Sequence, residues 1–427
     1  MLRSGDWLTR ERVRFVAAAL LIASAAGFLF LVVTAHNDVD LQGRPLGTDF
    51  SNVYAAGTYA LDGDVNAAFD PPQQFAREQA IFGATTQFYG WHYPPYFLFI
   101  AAPLAALPYG LALALWQTAT LGLYVLMMWG MKSWSSIPDG RLAASGMTAE
   151  WLLLSLAFPA VLINIGHGQN GFLTAALMGG ALVLLDRRPL VAGILFGLLV
   201  YKPQYGLLLP VVLGLSGRWK CFAAAAATLV VLSIATTLAF GTSVWGAFLE
   251  STHFTRTVVL EQGNTGWYKI QSVFAWARMW GAPIPIAYAL QGIATLAIAV
   301  ALARLWRSAA PFALQAAALC LATILATPYS FDYDMMVLAP AIAFLAVDGI
   351  IRGFGPWEKT LLAALWLMPL VARSIALATF VPLGVPVMLA VFVLILRRSE
   401  VFAAPMKFST ASAKMTGKRH DIAALKS

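Results

Sequence analysis

The stretch LGTDFSNVYAAG, residues 46–57, places a single carboxylate, Asp49, shortly after the first long apolar run of the chain. An aspartate just before a helix can act as its N-cap, because its side-chain oxygen accepts a hydrogen bond from a free backbone N–H. The alternative is a general base that takes a proton from a hydroxyl group. The two roles are compatible, since a helix N-terminus favours the ionised carboxylate.

Two further stretches carry polar side chains that could bind a ligand: Lys202, and the GHGQN segment at residues 166–170. Lys202 ends an apolar run, so it is either a lysine that snorkels to the membrane surface or a cation that neutralises a phosphate. In GHGQN, the glycines fit a turn at a helix start that Asn170 caps. His167, Gln169 and Asn170 could instead bind a sugar.

Aromatic and acidic residues mark two more candidate positions, Tyr93 in HYPP and the TPYSFDYD segment at residues 327–334. HYPP is typical of a helix start with aromatic residues at the membrane interface, and substrate binding by Tyr93 is the alternative. In TPYSFDYD, Asp332 and Asp334 stand at the mouth of an apolar run, where a charge is costly unless solvated or paired. Helix capping and substrate binding, with Tyr329 beside them, are both open.

The composition predicts a polytopic membrane protein, since 60% of the 427 residues are hydrophobic and only 11% are charged, against about a quarter in soluble domains. The net charge of +8 comes from short, dispersed basic clusters, which indicate membrane topology rather than a nucleic-acid-binding face. Cys221 and Cys320 lie in or beside apolar runs, so we interpret them as core residues without a disulfide or a metal.

Continuous apolar runs predict an all-α bundle of about 12 transmembrane helices that forms one domain over residues 1–398. The basic residues before the apolar run 16–33 resemble a signal peptide, but the length of the run favours an uncleaved span. The pieces around Lys202 are short and could be half-helices packed within protein. Residues 399–427 are expected to form a basic, disordered cytoplasmic tail. The predicted spans are 15–34, one or two within 96–131, 150–165, 170–186, 189–200, 204–216, 221–240, 286–305, 311–326, 335–350, 359–374 and 378–396.

The basic clusters also predict which segments lie outside, because lysine and arginine favour the cytoplasmic side. We expect a multi-pass protein of the plasma (inner) membrane with an extracytoplasmic active site. Asp70 before Pro71-Pro72 predicts a capped helix within the first outer segment. The charged residues of the long fourth segment are interpreted as a solvated loop. The predicted outer segments are 35–95, 166–170, 201–205, 241–285 and 327–334.

The succession GTDFSNVYAAG, YPPYFLFIAAPLAALP, GHGQNGFLTAAL, AGILFGLLVYKPQYGLLLP and ATPYSFDYDMMVLAP, over residues 47–340, resembles the polyprenol-phosphate-mannose-dependent glycosyltransferase family 87. Each segment is weakly specific alone, and their order and spacing together carry the resemblance. The resemblance implies a GT-C fold, in which a first extracytoplasmic loop carries the catalytic aspartate. It also implies a lipid-linked sugar donor bound at the outer leaflet of the membrane.

Two residues match functional positions of that family. Asp49, in the GxDF pattern, matches the catalytic acid, and Lys202, in the KP segment, matches the contact to the donor phosphate. The SFDYD segment departs from the family pattern, in which relatives often have Ser-Trp followed by histidine. This departure leaves open a histidine role and mannose as the sugar. If the donor is β-linked, as in the family, direct displacement gives an α product.

The leading hypothesis is a hexosyltransferase that moves mannose from a polyprenyl-phosphate carrier to a lipid or glycan acceptor. A polyprenyl phosphate is a good leaving group, so one base, Asp49, and one or more cations are sufficient for the chemistry. The sequence indicates no required cofactor or metal ligand, while metal dependence and oligomeric state stay open. The expected partners are the lipid bilayer, the polyprenyl-phosphate sugar and the acceptor, with no nucleic acid.

A secondary transporter of a small polar or sugar-like solute is the alternative function. Transporters place their binding groups near the bilayer midplane, often at broken helices in two related halves. Here the acids and histidines lie at the ends of spans on one predicted side, and no internal repeat is visible. A non-catalytic membrane scaffold is a third hypothesis.

Overall fold

A computed structural model describes residues 1–134 and 147–400, and the regular structure within them is helical, which confirms the predicted all-α class. Apart from its first two residues, the predicted tail 399–427 lies outside the described residues. The α-helices are α1 Arg10–Thr34, α2 Phe50–Leu61, α3 Pro71–Phe82, α4 Leu98–Ala105, α5 Tyr109–Trp134, α6 Met147–Leu156, α7 Pro159–His167, α8 Gly171–Leu184, α9 Pro189–Leu198, α10 Leu209–Leu215, α11 Trp219–Phe240, α12 Ser243–Phe254, α13 Val273–Met279, α14 Ile284–Arg307, α15 Phe312–Leu325, α16 Leu338–Arg352, α17 Glu358–Thr379 and α18 Gly384–Arg398. Short 3-10 helices lie at Val65–Phe69, Pro95–Phe97, Leu199–Tyr201, Pro203–Gly206, Trp267–Lys269 and Asp332–Val337, and a π-helical turn lies at Thr255–Glu261.

Six helical segments within the described residues are long and apolar enough to cross a membrane. A seventh is present if α6 and α7, which meet at a bend of 49°, count as one span. This is fewer than the twelve or so spans expected, because several predicted spans are short helices. For example, α8 and α15 have 14 residues each, or about 21 Å, against a hydrocarbon core of roughly 30 Å. The six segments are Arg10–Thr34, Tyr109–Met131, Trp219–Phe240, Ile284–Arg307, Asp332–Arg352 and Glu358–Thr379.

Proline and glycine explain where the short helices end. Pro159 begins α7 after the break that follows α6, because proline is well tolerated in the first turn of a helix but not in its interior. The chain around Lys202 is also broken, as the sequence suggested: α9 ends at Leu198, and a 3-10 turn lies on each side of Lys202. The break leaves Lys202 at the junction of two half-length pieces rather than within a span.

Residues 35–95 contain the helices α2 and α3. Helix α2 packs closely on α4, and a Cβ atom at Gly57 would lie 2.2 Å from the carbonyl oxygen of Ala101. Only glycine allows this approach, since any larger residue would push the two helices apart. At the start of α3, the carboxylate of Asp70 accepts a hydrogen bond from the backbone N–H of Gln73 at 3.1 Å. The packing of α2 fixes the position of the residue that precedes it, Asp49.

The segment 241–285 is not the solvated loop that the sequence suggested. It contains α12, the π-helical turn and α13, and its Ile270 and Phe274 are completely buried. The backbone N–H of Gln271 donates to the carbonyl oxygen of Ser330 at 2.8 Å, so the segment is attached to residues 327–334. The apolar side chains within a nominally polar stretch are the physical reason, because burial of Ile270 and Phe274 stabilises a packed arrangement.

Ion pairs connect the basic clusters at one end of the bundle. Arg398 contacts Asp348 at 2.8 Å and also pairs with Glu358. Glu358 is the first residue of α17, and Arg373 lies fifteen residues further along the same helix, about 22 Å away. Glu358 binds Arg398 of a predicted inner cluster, and Arg373 binds Asp332 of the predicted outer segment 327–334, so these two segments lie at opposite parts of α17. Further ion pairs among the described residues of the predicted inner segments are Arg10 and Arg14 with Glu150, Arg218 with Asp186, and Arg352 with Asp348.

Candidate functional site

A cavity of about 820 Å³ lies at the end of the bundle that contains Arg373. Its walls are drawn from residues 44–52, 87–94, 167–169, 201–204, 248–269, 329–334 and Arg373. Two of the nine predicted site residues, Asn170 and Asp332, do not line it. The seven that line it are Asp49, Tyr93, His167, Gln169, Lys202, Tyr329 and Asp334.

Asp49 occupies the N-cap position of α2, but its side chain makes no capping hydrogen bond. Instead, Oδ2 accepts a hydrogen bond from Nε2 of Gln169 at 2.7 Å. The ring nitrogen Nδ1 of His167 lies 3.9 Å from Oδ1, and the Asp49 side chain is 22% exposed. The carboxylate therefore has one bonded oxygen and one oxygen that can take a proton from a hydroxyl in the cavity.

Gln169 fixes the orientation of the Asp49 carboxylate. The Oε1 atom of Gln169 accepts from the hydroxyl of Tyr93 at 3.1 Å and from the backbone N–H of Asn170 at 3.2 Å. With its oxygen bound in this way, the amide must direct its NH₂ group at Asp49. Gly168, which ends α7 with φ of +64°, provides the left-handed turn that brings Gln169 to this place.

Asn170 does not cap α8 in the way that the sequence suggested. It occupies the N-cap position without a side-chain capping bond, and the N–H of Gly171 donates to Oδ1 of Asn164 at 2.8 Å instead. Asn170 is buried, and its Oδ1 has no hydrogen-bond partner among the described residues. It lies behind the cavity wall, so a direct sugar contact by Asn170 stays a prediction.

His167 lies between Asp49 and Arg373. Its Nδ1 is 2.7 Å from Oγ1 of Thr48, and its Nε2 is 3.4 Å from Nη2 of Arg373. A guanidinium group only donates hydrogen bonds, so Nε2 accepts and the neutral ring carries its hydrogen on Nδ1. The histidine thereby presents an N–H to Thr48 and to the side of the cavity that contains Asp49.

Lys202 is buried and paired rather than snorkelling to a surface. Its Nζ lies 2.5 Å from Oδ1 of Asp334, with side-chain exposures of 6% and 2%. Oδ2 of Asp334 accepts from the backbone N–H of Phe331 at 2.9 Å, and the ring of Tyr333 lies 5.1 Å from the ammonium group. The charge of Lys202 is therefore already balanced by a carboxylate, and the predicted phosphate contact would share this ammonium group.

Asp332 lies behind the cavity wall and binds a residue that lines it. Its Oδ1 accepts from Nη2 of Arg373 at 2.8 Å and from the backbone N–H of Tyr333 at 3.0 Å. Asp332 is buried, whereas Arg373 is partly exposed to the cavity. The structure thus gives Asp332 the role of holding Arg373 in place.

Four arginine and lysine residues of the cavity were not predicted as site residues: Arg44, Arg256, Lys269 and Arg373. Arg373 had a usable signal, because a charged residue inside an apolar helix is costly and marks a functional position. Arg256 and Lys269 had none, since both belong to the segment interpreted as a solvated loop. Only the folding of residues 241–285 over the cavity brings them into the site.

His92, which is partly buried, and Glu78, which is fully buried, hold the rim formed by residues 87–94. Nδ1 of His92 is 2.8 Å from Oγ1 of Thr255, and burial lowers the pKa of His92 to about 4, so the ring is neutral near pH 7. Glu78 accepts hydrogen bonds from the backbone N–H groups of Tyr89 at 2.9 Å and Gly90 at 3.1 Å. Burial raises the pKa of Glu78 to about 7. His92 therefore supplies no positive charge to the cavity at neutral pH.

Within residues 1–134 and 147–400, no group of three or more His, Cys, Asp or Glu side chains is placed to hold a metal ion. Cys221 and Cys320 are buried free thiols and do not line the cavity.

Residues 91–328, more than half of the chain, match the family described as Glycosyltransferase family 87. This range includes Tyr93, His167, Gln169 and Lys202, whereas Asp49 precedes it. Neither the curated proteins nor the solved structures contain a match to this chain.

Proposed function

The chain belongs to glycosyltransferase family 87, and on that premise we propose that it transfers a hexose, mannose, from a polyprenyl-phosphate donor to a lipid or glycan acceptor. Family membership makes it a membrane glycosyltransferase. The observation that supports the finer proposal is the cavity itself, in which a partly exposed carboxylate, Asp49, faces several basic side chains. A base and a cluster of cations are what displacement of a phosphate by a hydroxyl requires.

In the proposed mechanism, Asp49 is the general base. Oδ1 takes the proton of the acceptor hydroxyl while Gln169 holds Oδ2 at 2.7 Å. The acceptor oxygen forms a bond to the anomeric carbon, and the bond from that carbon to the phosphate oxygen breaks. Attack on the face opposite the leaving phosphate inverts the anomeric centre, so a β-linked donor gives an α-linked product.

The departing phosphate needs positive charge rather than a proton, because polyprenyl phosphate is a good leaving group. Five basic side chains line the cavity and can supply that charge: Arg44, Lys202, Arg256, Lys269 and Arg373. The role of Lys202 as a donor-phosphate contact stays a prediction, as do sugar contacts by Tyr93, His167, Gln169, Asn170, Tyr329, Asp332 and Asp334.

We place the reaction on the extracytoplasmic face of the plasma membrane. The support is that the segments predicted to lie outside all contribute to one cavity, whereas the paired basic clusters lie at the other end of α17. The positive-inside rule assigns those clusters to the cytoplasm. Transport by the same cavity is not favoured by the family to which the chain belongs.

A transfer assay tests this function. The protein is reconstituted in liposomes with polyprenyl-phosphate mannose, carrying a labelled sugar, and with a panel of lipid and glycan acceptors. We expect a labelled product that an α-mannosidase cleaves and that Asp49→Asn does not form. Full turnover in the Asp49→Asn protein would reject the base, and solute uptake into vesicles without any sugar transfer would favour the transporter.

A further inference from the structure

The basic side chains that line the cavity differ in whether a carboxylate already binds them. Four are paired within 4.0 Å: Arg44 with Asp40, Lys202 with Asp334, Arg256 with Glu261, and Arg373 with Asp332. Lys269 is the exception, because no carboxylate among the described residues lies within 4.0 Å of its Nζ. A partly buried ammonium group without a counterion is ready to bind an anion.

The position of Lys269 is fixed by the backbone on both sides. Its 3-10 turn, Trp267–Lys269, packs on α17, the helix that carries Arg373. Two residues further on, the N–H of Gln271 donates to the carbonyl oxygen of Ser330 at 2.8 Å. The Oε1 atom of Gln271, which is fully buried, accepts from the N–H of Gly384 at 2.9 Å. Lys269 is therefore presented to the cavity from an anchored turn.

Lys269, Arg373 and Asp49 line the same cavity. Burial, followed by the charge of Arg373, lowers the pKa of Lys269, while the carboxylates of Asp49 and Asp332 act in the opposite direction. The turn that carries Lys269 also packs on the helix that carries Arg373. Two cations in one cavity with a single buried counterion, Asp332, suit an anion with several oxygen atoms.

Resting on the proposed transfer reaction, we propose that Lys269, next to Arg373, contacts the phosphate of the lipid-linked donor. When the bond between the anomeric carbon and the phosphate oxygen breaks, its electron pair stays on that oxygen, and the acceptor proton goes to Asp49. The phosphate thereby gains a second negative charge, which Lys269 stabilises. Lys202 is already paired with Asp334, so it can only share its ammonium group with that phosphate.

Binding of polyprenyl phosphate, the product of transfer, tests this assignment without any sugar chemistry. Lys269→Met should raise the Kd about 10- to 100-fold, as for a lost hydrogen bond to a charged group. Lys269→Arg keeps the charge and should bind nearly as the wild type does. Lys220→Met, which removes an exposed lysine outside the cavity, is the matched control. Polyprenol, which has no phosphate, should bind the wild type and Lys269→Met equally.

The outcomes separate this inference from the proposed function. A wild-type Kd for polyprenyl phosphate in the Lys269→Met protein would overturn the inference even if the wild type transfers sugar. Weakening in Lys269→Arg as large as in Lys269→Met would also overturn it, because the charge would not matter. A charge-dependent loss at Lys269 in a protein that transfers no hexose would retain the phosphate site and reject the proposed transfer.

Discussion

Asp49 and Asp334 lie in the walls of one cavity and are bonded in opposite ways. Asp334 is 2% exposed, and Lys202 lies 2.5 Å from its Oδ1, while a backbone N–H reaches its Oδ2 at 2.9 Å. Asp49 is 22% exposed and accepts a bond from the neutral amide of Gln169. Among the described residues, no lysine or arginine lies within 4.0 Å of Asp49.

The difference shows which acid can exchange protons. Both oxygens of Asp334 are occupied, one by Lys202 and one by a backbone N–H, so neither is free to accept a proton from a substrate hydroxyl. Asp334 also cannot release its partner, since an unpaired buried charge is costly. Asp49 lines the cavity and has one oxygen without a hydrogen bond among the described residues, so a substrate hydroxyl can approach that oxygen. The same residue type therefore serves structure on one wall and, in our proposal, chemistry on the other.

The largest expected effect comes from Asp49→Asn, which should lower kcat by about 10³-fold. General base catalysis contributes a factor on the order of 10²–10⁴ to the rate, and this variant removes it. The thermal unfolding midpoint should not change, since no buried charge loses its partner. Kinetics of mannose transfer and a melting curve in detergent measure both. Asp64→Asn, at an exposed residue outside the cavity, is the control. Equal loss of activity in Asp64→Asn would contradict the special role of Asp49.

Lys202→Met should act on stability instead. It leaves the carboxylate of Asp334 buried without its partner, and breaking a buried ion pair in this way costs about 3 kcal/mol or more. The double variant Lys202→Met with Asp334→Asn should recover most of that loss, because no uncompensated charge remains. Denaturant unfolding of the three proteins measures the effect. If the double variant were as unstable as the single one, the pair would not be the cause.

Gln169→Ala should have a smaller effect that falls on kcat. It removes the amide that orients Asp49, and loss of one hydrogen bond to a charged group lowers the rate about tenfold. The KM for the donor should stay near its wild-type value, since the basic side chains are untouched. Tyr93→Phe leaves the bond between Gln169 and Asp49 in place, so its effect on kcat should be weaker. A rise in KM alone would assign Gln169 to substrate binding.

The smallest effect concerns Glu78, an acid that is buried without a cation partner among the described residues. Burial raises its pKa from 4.5 to about 7, so the folded chain holds the proton more tightly than the unfolded chain. The stabilisation is complete below pH 4.5 and is lost as the pH rises through about 7. We expect Tm to fall by about 1–3 °C over this interval.

Replacing Glu78 by Gln provides the comparison for that pH effect. The amide retains an acceptor for the backbone N–H groups of residues 89 and 90 but cannot ionise. The Tm of Glu78→Gln should therefore vary less with pH than that of the wild type. An unchanged pH dependence would mean that another group carries the effect.

The membrane class and most helix positions could be predicted because they depend on local runs of apolar residues. The predicted span 221–240, for example, corresponds to α11, Trp219–Phe240. The number of spans could not be predicted in this way. A run such as 311–326 has the same composition whether it crosses the bilayer or ends inside the bundle, and α15 is a short helix that is buried from Ala313 to Leu325. Packing decides between the two.

In the candidate site, too, local sequence patterns predicted some features and packing decided the others. The polar segments were visible in the sequence because each interrupts an apolar run, and the structure brings seven of the nine predicted residues to one cavity. Asp49 does occupy the N-cap position of α2, but the predicted capping hydrogen bond is absent. Its carboxylate accepts a hydrogen bond from the side chain of Gln169 instead of from a backbone N–H. The position of Lys269 in the cavity wall could not be predicted, because the sequence of a polar segment does not show whether its lysine is solvated or points inward.

The sequence by itself determined that this chain is a helical membrane protein and which stretches carry its polar chemistry, since hydrophobicity and local signals act over a few residues. The tertiary structure alone decided which charges are neutralised. Lys202 meets Asp334 across 132 residues, and Gln169 meets Asp49 across 120. Pairing depends on distances between remote parts of the chain, and those distances are set by how the helices pack.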